Sequence, residues 1–307
     1  MEPTLQHQVV CFGEVLWDIL PSDALPGGAP MNVAYHLKKL GTEPALITKI
    51  GTDEYGEKLV NILSKSGVTT EYFQVDYDHP TGLVYANVNN HQEVVYDIVY
   101  PSAWDFIQWH DEFTGLLEHA EFFVFGSLTS RNKESRDTLY QLLDIAKTKV
   151  LDINLRPPYF NRSHIEYLLQ KANILKMNEA ELELITGWFN DLKSNQDRIK
   201  LIQDRFDIQT LIVTLGGDGA MVNDKGNIHS HPGFKVEVAD TIGSGDSFLA
   251  GFLNQLLSGL SIENALAFAS GIGAFIATQP GACPQYEISQ ITELINSDPQ
   301  QKLQTNL

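Results

Sequence analysis

Asp240-Thr241-Ile242-Gly243-Ser244-Gly245-Asp246 runs directly into the stretch Ser247 to Leu257. There Phe248, Leu249, Phe252, Leu253, Leu256 and Leu257 recur at helical spacing, and Gly259 stands where such an element ends, so a helix is predicted to begin at the glycine loop. Two glycines and a small serine let an anion approach the backbone closely. Amides of Gly243, Ser244 and Gly245, with the positive end of the helix, would hold its charge as an anion hole. Asp246 then stands beside the captured group, placed to accept the proton of an attacking alcohol. Those two jobs are the ones phosphoryl transfer to a hydroxyl requires. A plain turn with a helix cap uses the same residue types, so the rest of the chain must decide between the readings.

Outward from this loop, apolar runs alternate with helical patterns. Val9 to Ile19 reads as a strand, Asn32 to Leu40 as a helix closed by Gly41, Ala45 to Ile50 as a strand, and Tyr55 to Ser66 as a helix. The rhythm returns as strand Phe122 to Phe125 with helix Lys133 to Lys147, strand Val150 to Ile153 with helix Ser163 to Ala172, and strand Ile174 to Met177 with helix Glu179 to Thr186. A strand over Leu211 to Leu215 follows, and helices over Ile262 to Ala277 and Ile288 to Ile295 complete the pattern. Such alternation predicts an α/β fold with a mainly parallel sheet covered by helices. Leu83 to Val88 and Val94 to Val99 break it: these β-rich runs flank Asn89-Asn90-His91-Gln92-Glu93 with no helix between them, a hairpin signature. The hairpin is expected to join a small β lid, with an edge hairpin of the main sheet as the alternative.

The chain of 307 residues has ample apolar content, 43%, for a large core. With 21 basic against 39 acidic residues its net charge is -18, which disfavours nucleic acid and anionic membranes as partners. An anionic nucleotide remains compatible if a metal ion and local donors offset the repulsion. Met1 to Gln8 lack a charged region followed by an apolar run, and no stretch approaches the ~20 apolar residues of a membrane span, so a cytoplasmic location is expected. Cys11 and Cys283 have no metal-binding spacing and are expected to be inert thiols. His229 and His231 share a strand face like half a metal site, but no third ligand is near in sequence and surface roles are expected.

Pro26-Gly27-Gly28-Ala29-Pro30-Met31-Asn32 opens another helix, with Val33, Ala34, Leu37 and Leu40 as its apolar face. The diglycine permits close approach of a ligand. Asn32 offers a donor and an acceptor suited to a sugar hydroxyl, or it caps the helix. Asp18 follows the first strand and can bind two hydroxyls with its two oxygens, or form a turn.

Taken together, these segments resemble the PfkB (ribokinase-like) family of carbohydrate kinases over most of the chain. GGAPMNVAYHLKKLG (27–41) looks like the family's N-terminal signature and DTIGSGDSFLAGF (240–252) like its C-terminal one. Lys176-Met177-Asn178-Glu179-Ala180-Glu181-Leu182 is similar to its Asn-Glu-x-Glu element, and Val213-Thr214-Leu215-Gly216-Gly217-Asp218-Gly219 to its nucleotide-binding segment. The resemblance implies a single kinase domain over 1–307, of ribokinase-like three-layer α/β/α architecture, with lid strands from about 11–30 and 80–100. It further implies Asp246 as catalytic base with Gly243, Ser244 and Gly245 as anion hole, and Asp18, Gly27, Gly28 and Asn32 lining the sugar pocket. Thr214, Gly216, Gly217 and Gly219 are implied to lie along ATP, while Asn178 and Glu181 organise Mg2+ and phosphate, partly through water. Asp240 matches a position that helps bind K+ in the family, and Ser244 stands where alanine is common.

Within the family, Gly13-Glu14-Val15-Leu16-Trp17-Asp18, the Gly-Gly-Ala-Pro form of residues 27–30, and Asp152-Ile153-Asn154-Leu155-Arg156-Pro157 are most similar to fructokinases. Arg156, a fixed fork of donors, is a candidate contact to substrate or phosphate. The resemblance implies transfer of the ATP γ-phosphate to the 6-hydroxyl of D-fructose, with a homodimer through the lid. 2-Keto-3-deoxygluconate kinases share part of the pattern, and a non-catalytic sugar- or nucleotide-binding regulator is the alternative of another class.

Overall fold

A computed structural model of the chain describes residues 7–20, 23–88 and 94–297; the turn expected at 89–93 and residues 1–6 lie outside the described residues. The chain divides into two compact units, Met1–Lys149 with Leu155–Arg162, and Val150–Asn154 with Ser163–Leu307.

The first unit runs β1 (Val9–Phe12), β2 (Leu16–Ile19), β3 (Ala24–Gly27), α1 (Ala29–Lys39), β4 (Pro44–Gly51), α2 (Glu54–Lys65), β5 (Phe73–Asp76), β6 (Gly82–Val88), β7 (Val94–Ile98), α3 (Glu112–His119), β8 (Phe122–Gly126) and α4 (Lys133–Ile145). Strands β8-β1-β4-β5 lie side by side in parallel. β1, β4 and β8 are buried along their whole lengths, which is why β1 and β8 read as unbroken apolar runs rather than as alternation, while β4 carries the buried Thr48 and Lys49 within its run.

A small separate sheet, ordered β3-β2-β6-β7, belongs to the same unit. The sequence reading made one strand of Val9 to Ile19, and the structure corrects it: the run is two strands in two sheets, parted at Gly13. Gly13 has φ 147°, and a Cβ there would stand 2.4 Å from Thr129 Oγ1 and 2.7 Å from Pro30 Cγ. Only glycine fits this turn, and it carries Leu16–Ile19, hence Asp18, into the small sheet. There β2 pairs parallel with β6 and antiparallel with β3, and β6 pairs antiparallel with β7. Asp18 sits opposite Val84, and Val84 opposite Ile98, so the three residues form one row across the sheet.

Within the second unit come β9 (Thr148–Asp152, entered from the first unit), α5 (Arg162–Lys171), β10 (Ile174–Asn178), α6 (Glu179–Thr186), α7 (Asn195–Phe206), β11 (Thr210–Thr214), β12 (Ala220–Asp224), β13 (Asn227–His231), α8 (Ser244–Leu257), α9 (Ile262–Ala277) and α10 (Ile288–Ser297). β9, β10 and β11 are parallel, and β12 and β13 continue the sheet antiparallel. α8 lies along α9 at close range, because a Cβ on Gly251 would come within 2.7 Å of Ile272 Cγ2. Among the described residues no helix is long and apolar enough to cross a membrane.

Candidate active site

The glycine loop starts α8 as the sequence suggests, one turn earlier than the apolar pattern alone indicates: the helix begins at Ser244 with Gly243 as its N-cap. Gly243 is left-handed, φ 75°, and a Cβ on it would lie 2.6 Å from Ala282. No L side chain fits there without displacing the chain at Ala282. Ser244 turns its hydroxyl away from the loop to donate to the Gly273 carbonyl of α9 at 2.9 Å. Its amide makes a long bond, 3.3 Å, to Thr241 O, and the Gly245 amide follows in the first helical turn, whose amides have no partner within the helix and can donate to an incoming anion. Asp246 is the third residue of the helix and is partly exposed. Asp240 braces the loop from outside, accepting from Ile242 N at 3.0 Å and Gly281 N at 3.2 Å.

Beneath this loop lies a charged group that the motif reading passed over. Lys176, set among the apolar Ile174, Leu175 and Met177 of β10, donates from Nζ to Asp152 Oδ2 at 2.7 Å, and a Cβ on Gly245 would stand 3.2 Å from the same Nζ. Burial opposes the charge on Lys176. The carboxylates of Asp152 and then Asp246, with Glu181 beyond them, outweigh that and hold the ammonium above the ordinary lysine value. A lysine in the run Ile174-Leu175-Lys176-Met177 was the available signal, since a buried strand rarely keeps an unpaired charge. In the same unit the thiol of Cys283 is raised by burial and further by Asp246, while that of Cys11, on β1 of the first unit, is raised by burial alone.

Asn178 ends β10 and caps α6. Its side chain accepts from Glu181 N at 2.9 Å while Glu181 Oε2 accepts from Asn178 N at 2.9 Å, a reciprocal capping box. Glu181 is 8% exposed, so the solvated-face reading of the acidic run Glu179 to Glu183 does not hold for it. Its exposed neighbours fit that reading: Glu179 accepts from Asn195 and Glu183 pairs with Arg198 at 2.6 Å.

Asn178, Thr214, Gly216, Gly217 and Gly219 all line a cleft of about 710 Å³, which Ser244 and Gly245 border as well. Gly219 has φ 87°, and a Cβ on it would lie 1.9 Å from His231 O; Gly216, φ 59°, and Gly217 face open space. The apolar wall comes from Phe234, Val236, Val238, Phe248, Ala274 and Ala277. Lys235 and Ser270, which the motifs did not indicate, also line it, and the buried Ser270 Oγ has no hydrogen-bond partner among the described residues. His231 accepts from Gly233 N at 3.1 Å and His229 pairs with Glu263 at 3.0 Å. Among the described residues no group of three His, Cys, Asp or Glu is placed to hold a metal ion by itself. Mg2+ does not need one, because it is commonly held by one or two carboxylates plus substrate phosphates and water. Buried Glu181, whose capping partner Asn178 lines the cleft and whose charge acts on Lys176 with those of Asp152 and Asp246, fits that donor pattern.

The remaining candidates belong to the first unit. The Asp18 carboxylate lies over Gly27, where a Cβ would meet Oδ2 at 2.5 Å, and a Cβ on Gly28, φ 116°, would meet Glu14 O at 2.3 Å. Gly28 is the N-cap of α1; Asn32 is buried, its amide donating to Gly28 O at 2.8 Å, so the alternative of Asn32 as cap is corrected by the structure. Thr129 ties this region together, accepting from Glu14 N and donating to the Glu14 carboxylate. Arg156 is exposed, with Nη1 donating to Leu155 O at 3.1 Å.

An open α/β sheet with a glycine-led anion loop, a carboxylate in the first helical turn and a nucleotide-sized cleft defines a phosphotransferase type of site. Comparison with known proteins agrees. Residues 23–288 match the model of the pfkB family carbohydrate kinase, spanning both units. The chain is 30% identical to probable fructokinase-2 of Arabidopsis thaliana over 305 residues, covering 90% of this chain and 92% of that one. It is equally 30% identical over 305 residues to fructokinase-1 of Oryza sativa subsp. japonica, covering 90% and 93%. A fructokinase from Xylella fastidiosa solved with bound ATP superposes with a TM-score of 0.85 at 22% identity, covering 95% of this chain and 99% of that one. A fructokinase double mutant from Vibrio cholerae O395, solved with fructose, ADP and potassium ion, superposes with a TM-score of 0.82 at 23% identity, covering 94% and 98%. The chain belongs to the pfkB family of carbohydrate kinases and has the ribokinase-like α/β fold.

Proposed function

We propose that this protein is an ATP-dependent fructokinase that transfers the γ-phosphate of ATP to the 6-hydroxyl of D-fructose, giving fructose 6-phosphate and ADP. The observation that carries the reading is Asp246 in the first turn of α8, three residues after the left-handed Gly243, with its charge acting on the buried ammonium of Lys176. Asp246 accepts the proton of the attacking hydroxyl. The Gly245 amide, the positive end of α8 and Lys176 take up charge on the transferred group, with Gly243 setting the loop and Ser244 anchoring it to α9. ATP occupies the cleft lined by Asn178, Thr214, Gly216, Gly217 and Gly219. Mg2+, held through Glu181 and Asn178 in part by water, neutralises phosphate charge when bound.

Asp18 binds fructose hydroxyls through its two oxygens, with Gly27 and Gly28 leaving room for the ring, Asn32 serving as a buried donor and acceptor, and Arg156 supplying a fork of donors. Asp240 helps hold K+ near the loop that it braces. The single kinase domain works in the cytoplasm as a homodimer paired through the small sheet; sedimentation that finds only monomer at working concentration sinks the dimer.

The test is ADP release with Mg-ATP against fructose, 2-keto-3-deoxygluconate, ribose, glucose and adenosine, run with Asp246→Asn in parallel. Fructose-dependent turnover that falls by ~10²-fold or more in the variant, with ATP and sugar binding retained, supports the reading. Turnover on another acceptor moves the substrate, and binding without turnover makes the protein a regulator.

A further inference from the structure

Arg131 ends a short helical turn, Leu128–Arg131, after β8, and its side chain is 2% exposed. It grips Asp105 with one edge of the guanidinium, Nε to Oδ1 at 2.7 Å and Nη2 to Oδ2 at 2.8 Å, while Nη2 also donates to Val99 O at 2.7 Å. Three rings enclose the same cation: its Cζ lies 4.0 Å from the Trp104 centroid, 4.6 Å from Tyr159 and 5.0 Å from Tyr100. Nη1 has no hydrogen-bond partner among the described residues and faces this aromatic surround. A buried ion pair bears a desolvation cost that its own attraction offsets only in part, so burial alone is weak grounds for assigning it a stabilising purpose; fixing a register is the better-attested use.

What the pair could fix is visible in Tyr159. Its ring stacks on Arg131, its hydroxyl donates to Ile98 O at 2.8 Å, and its amide donates to Arg156 O at 2.8 Å, closing the turn that presents Arg156. Ile98 stands at the end of β7 in the row Asp18, Val84, Ile98. An unbroken path of hydrogen bonds and ring contacts, entirely within the first unit, therefore links the carboxylate-bearing row of the small sheet to the turn that carries the Arg156 fork.

We infer that Tyr159, locked by Arg131, is a positioning residue that sets the spacing between Asp18 and Arg156, the acceptor and donor ends of the sugar-binding set; this rests on the proposed sugar-kinase reading. Tyr159 itself touches backbone and Arg131, and it acts on the sugar through Arg156. Holding the spacing selects for an acceptor whose oxygens match it, so the clasp governs sugar affinity and discrimination rather than the chemical step.

Tyr159→Phe keeps the ring and removes only the bond to Ile98 O. The full-length protein with this change is expected to show a KM for fructose raised about 3- to 10-fold, the scale of one lost hydrogen bond, with kcat and the KM for ATP within about twofold of wild type. Hydrogen exchange at residues 155–162 is expected to quicken in the same variant. Arg131→Lys keeps the charge but not the fork or the flat stacking face, and should shift the sugar KM in the same direction. A KM for fructose unchanged in Tyr159→Phe, with wild-type turnover on fructose intact, overturns the inference and leaves the kinase reading standing. So does a uniform loss of kcat with lower melting temperature and no change in KM, which marks a purely structural role. If the wild type phosphorylates a different sugar, the fructose assignment falls and the same KM comparison on that sugar decides the clasp. A wild type that turns over no sugar removes both.

Discussion

Lys176 Nζ lies 2.7 Å from Asp152 Oδ2, with the two side chains only 8% and 6% exposed, directly under the loop that opens α8. Lys176→Met strands the Asp152 carboxylate in a buried setting and should cost on the order of 3–5 kcal/mol of stability. The double change Lys176→Met with Asp152→Asn should regain most of that stability in urea melts while turnover stays down by about 10²-fold, because the cation beneath the transferred phosphate is still missing. Restored turnover in the double variant would show that the lysine serves packing alone. With its value raised above 10.5, Lys176 contributes stability that is complete below that pH and is lost as pH climbs through the folded-state value.

Gly219 and Gly217 are two residues apart and should behave in opposite ways. At Gly219, φ 87° and a Cβ 1.9 Å from His231 O leave no room, so Gly219→Ala should distort the cleft and raise the KM for ATP at least tenfold, about 1.4 kcal/mol. Gly217→Ala meets open space without a left-handed backbone and should change the KM for ATP less than about threefold. Equal effects at the two sites would contradict the strain account.

Acid should weaken the fold through Asp76. Burial raises this carboxyl, but the Lys49 ammonium at 2.9 Å and the amides of Asp78 and His79 outweigh it and bring it down from 3.8 to about 2. A depressed carboxylate contributes stability that is present above its unfolded value and vanishes as pH falls through its folded one, here between about 4 and about 2. Asp76→Asn should lower the melting temperature at pH 7 by a few degrees and shrink the difference between variant and wild type as pH drops through that window. Calorimetry showing a constant difference from pH 7 to pH 2 would rule this out.

The two bonds of Asp240, to Ile242 N and Gly281 N, should matter twice. Asp240→Ala frees the anion loop and should lower kcat about tenfold or more without changing the sugar KM. Wild-type rates should be higher in KCl than in NaCl, and the variant should lose that preference. Equal wild-type rates in the two salts would dismiss K+ activation.

Sequence patterns revealed the parts of the fold that local physics decides. The glycine loop and α8 were readable because small residues and an amphipathic run fall in register, whereas the Asn178–Glu181 capping box, though its members are spaced three apart, reads in the sequence only as a family element and emerges with the structure. Val9 to Ile19 was misread because apolar content continues across Gly13, whereas the break depends on Thr129 and Pro30 crowding a position they are distant from in sequence. α7 was missed for a different reason: Asn195–Phe206 is largely polar and buries only Arg198, Ile199, Ile202 and Phe206. Among site residues, the lysine at 176 carried a local signal, while Ser270, Lys235 and the Arg131–Tyr159 contact gain meaning only from neighbours brought together by the sheet and helices.

The surroundings of the two thiols, Cys11 buried and Cys283 half-buried, have a practical consequence. Thiolate is the form that attacks alkylating reagents; burial raises the Cys11 thiol, and burial with the Asp246 charge added raises that of the half-buried Cys283, which disfavours thiolate at both. The native chain should therefore react slowly with maleimide dyes, and mass spectrometry of the labelled wild type checks it. One introduced attachment point, such as Tyr77→Cys at a position 84% exposed, should label selectively with both native cysteines left in place.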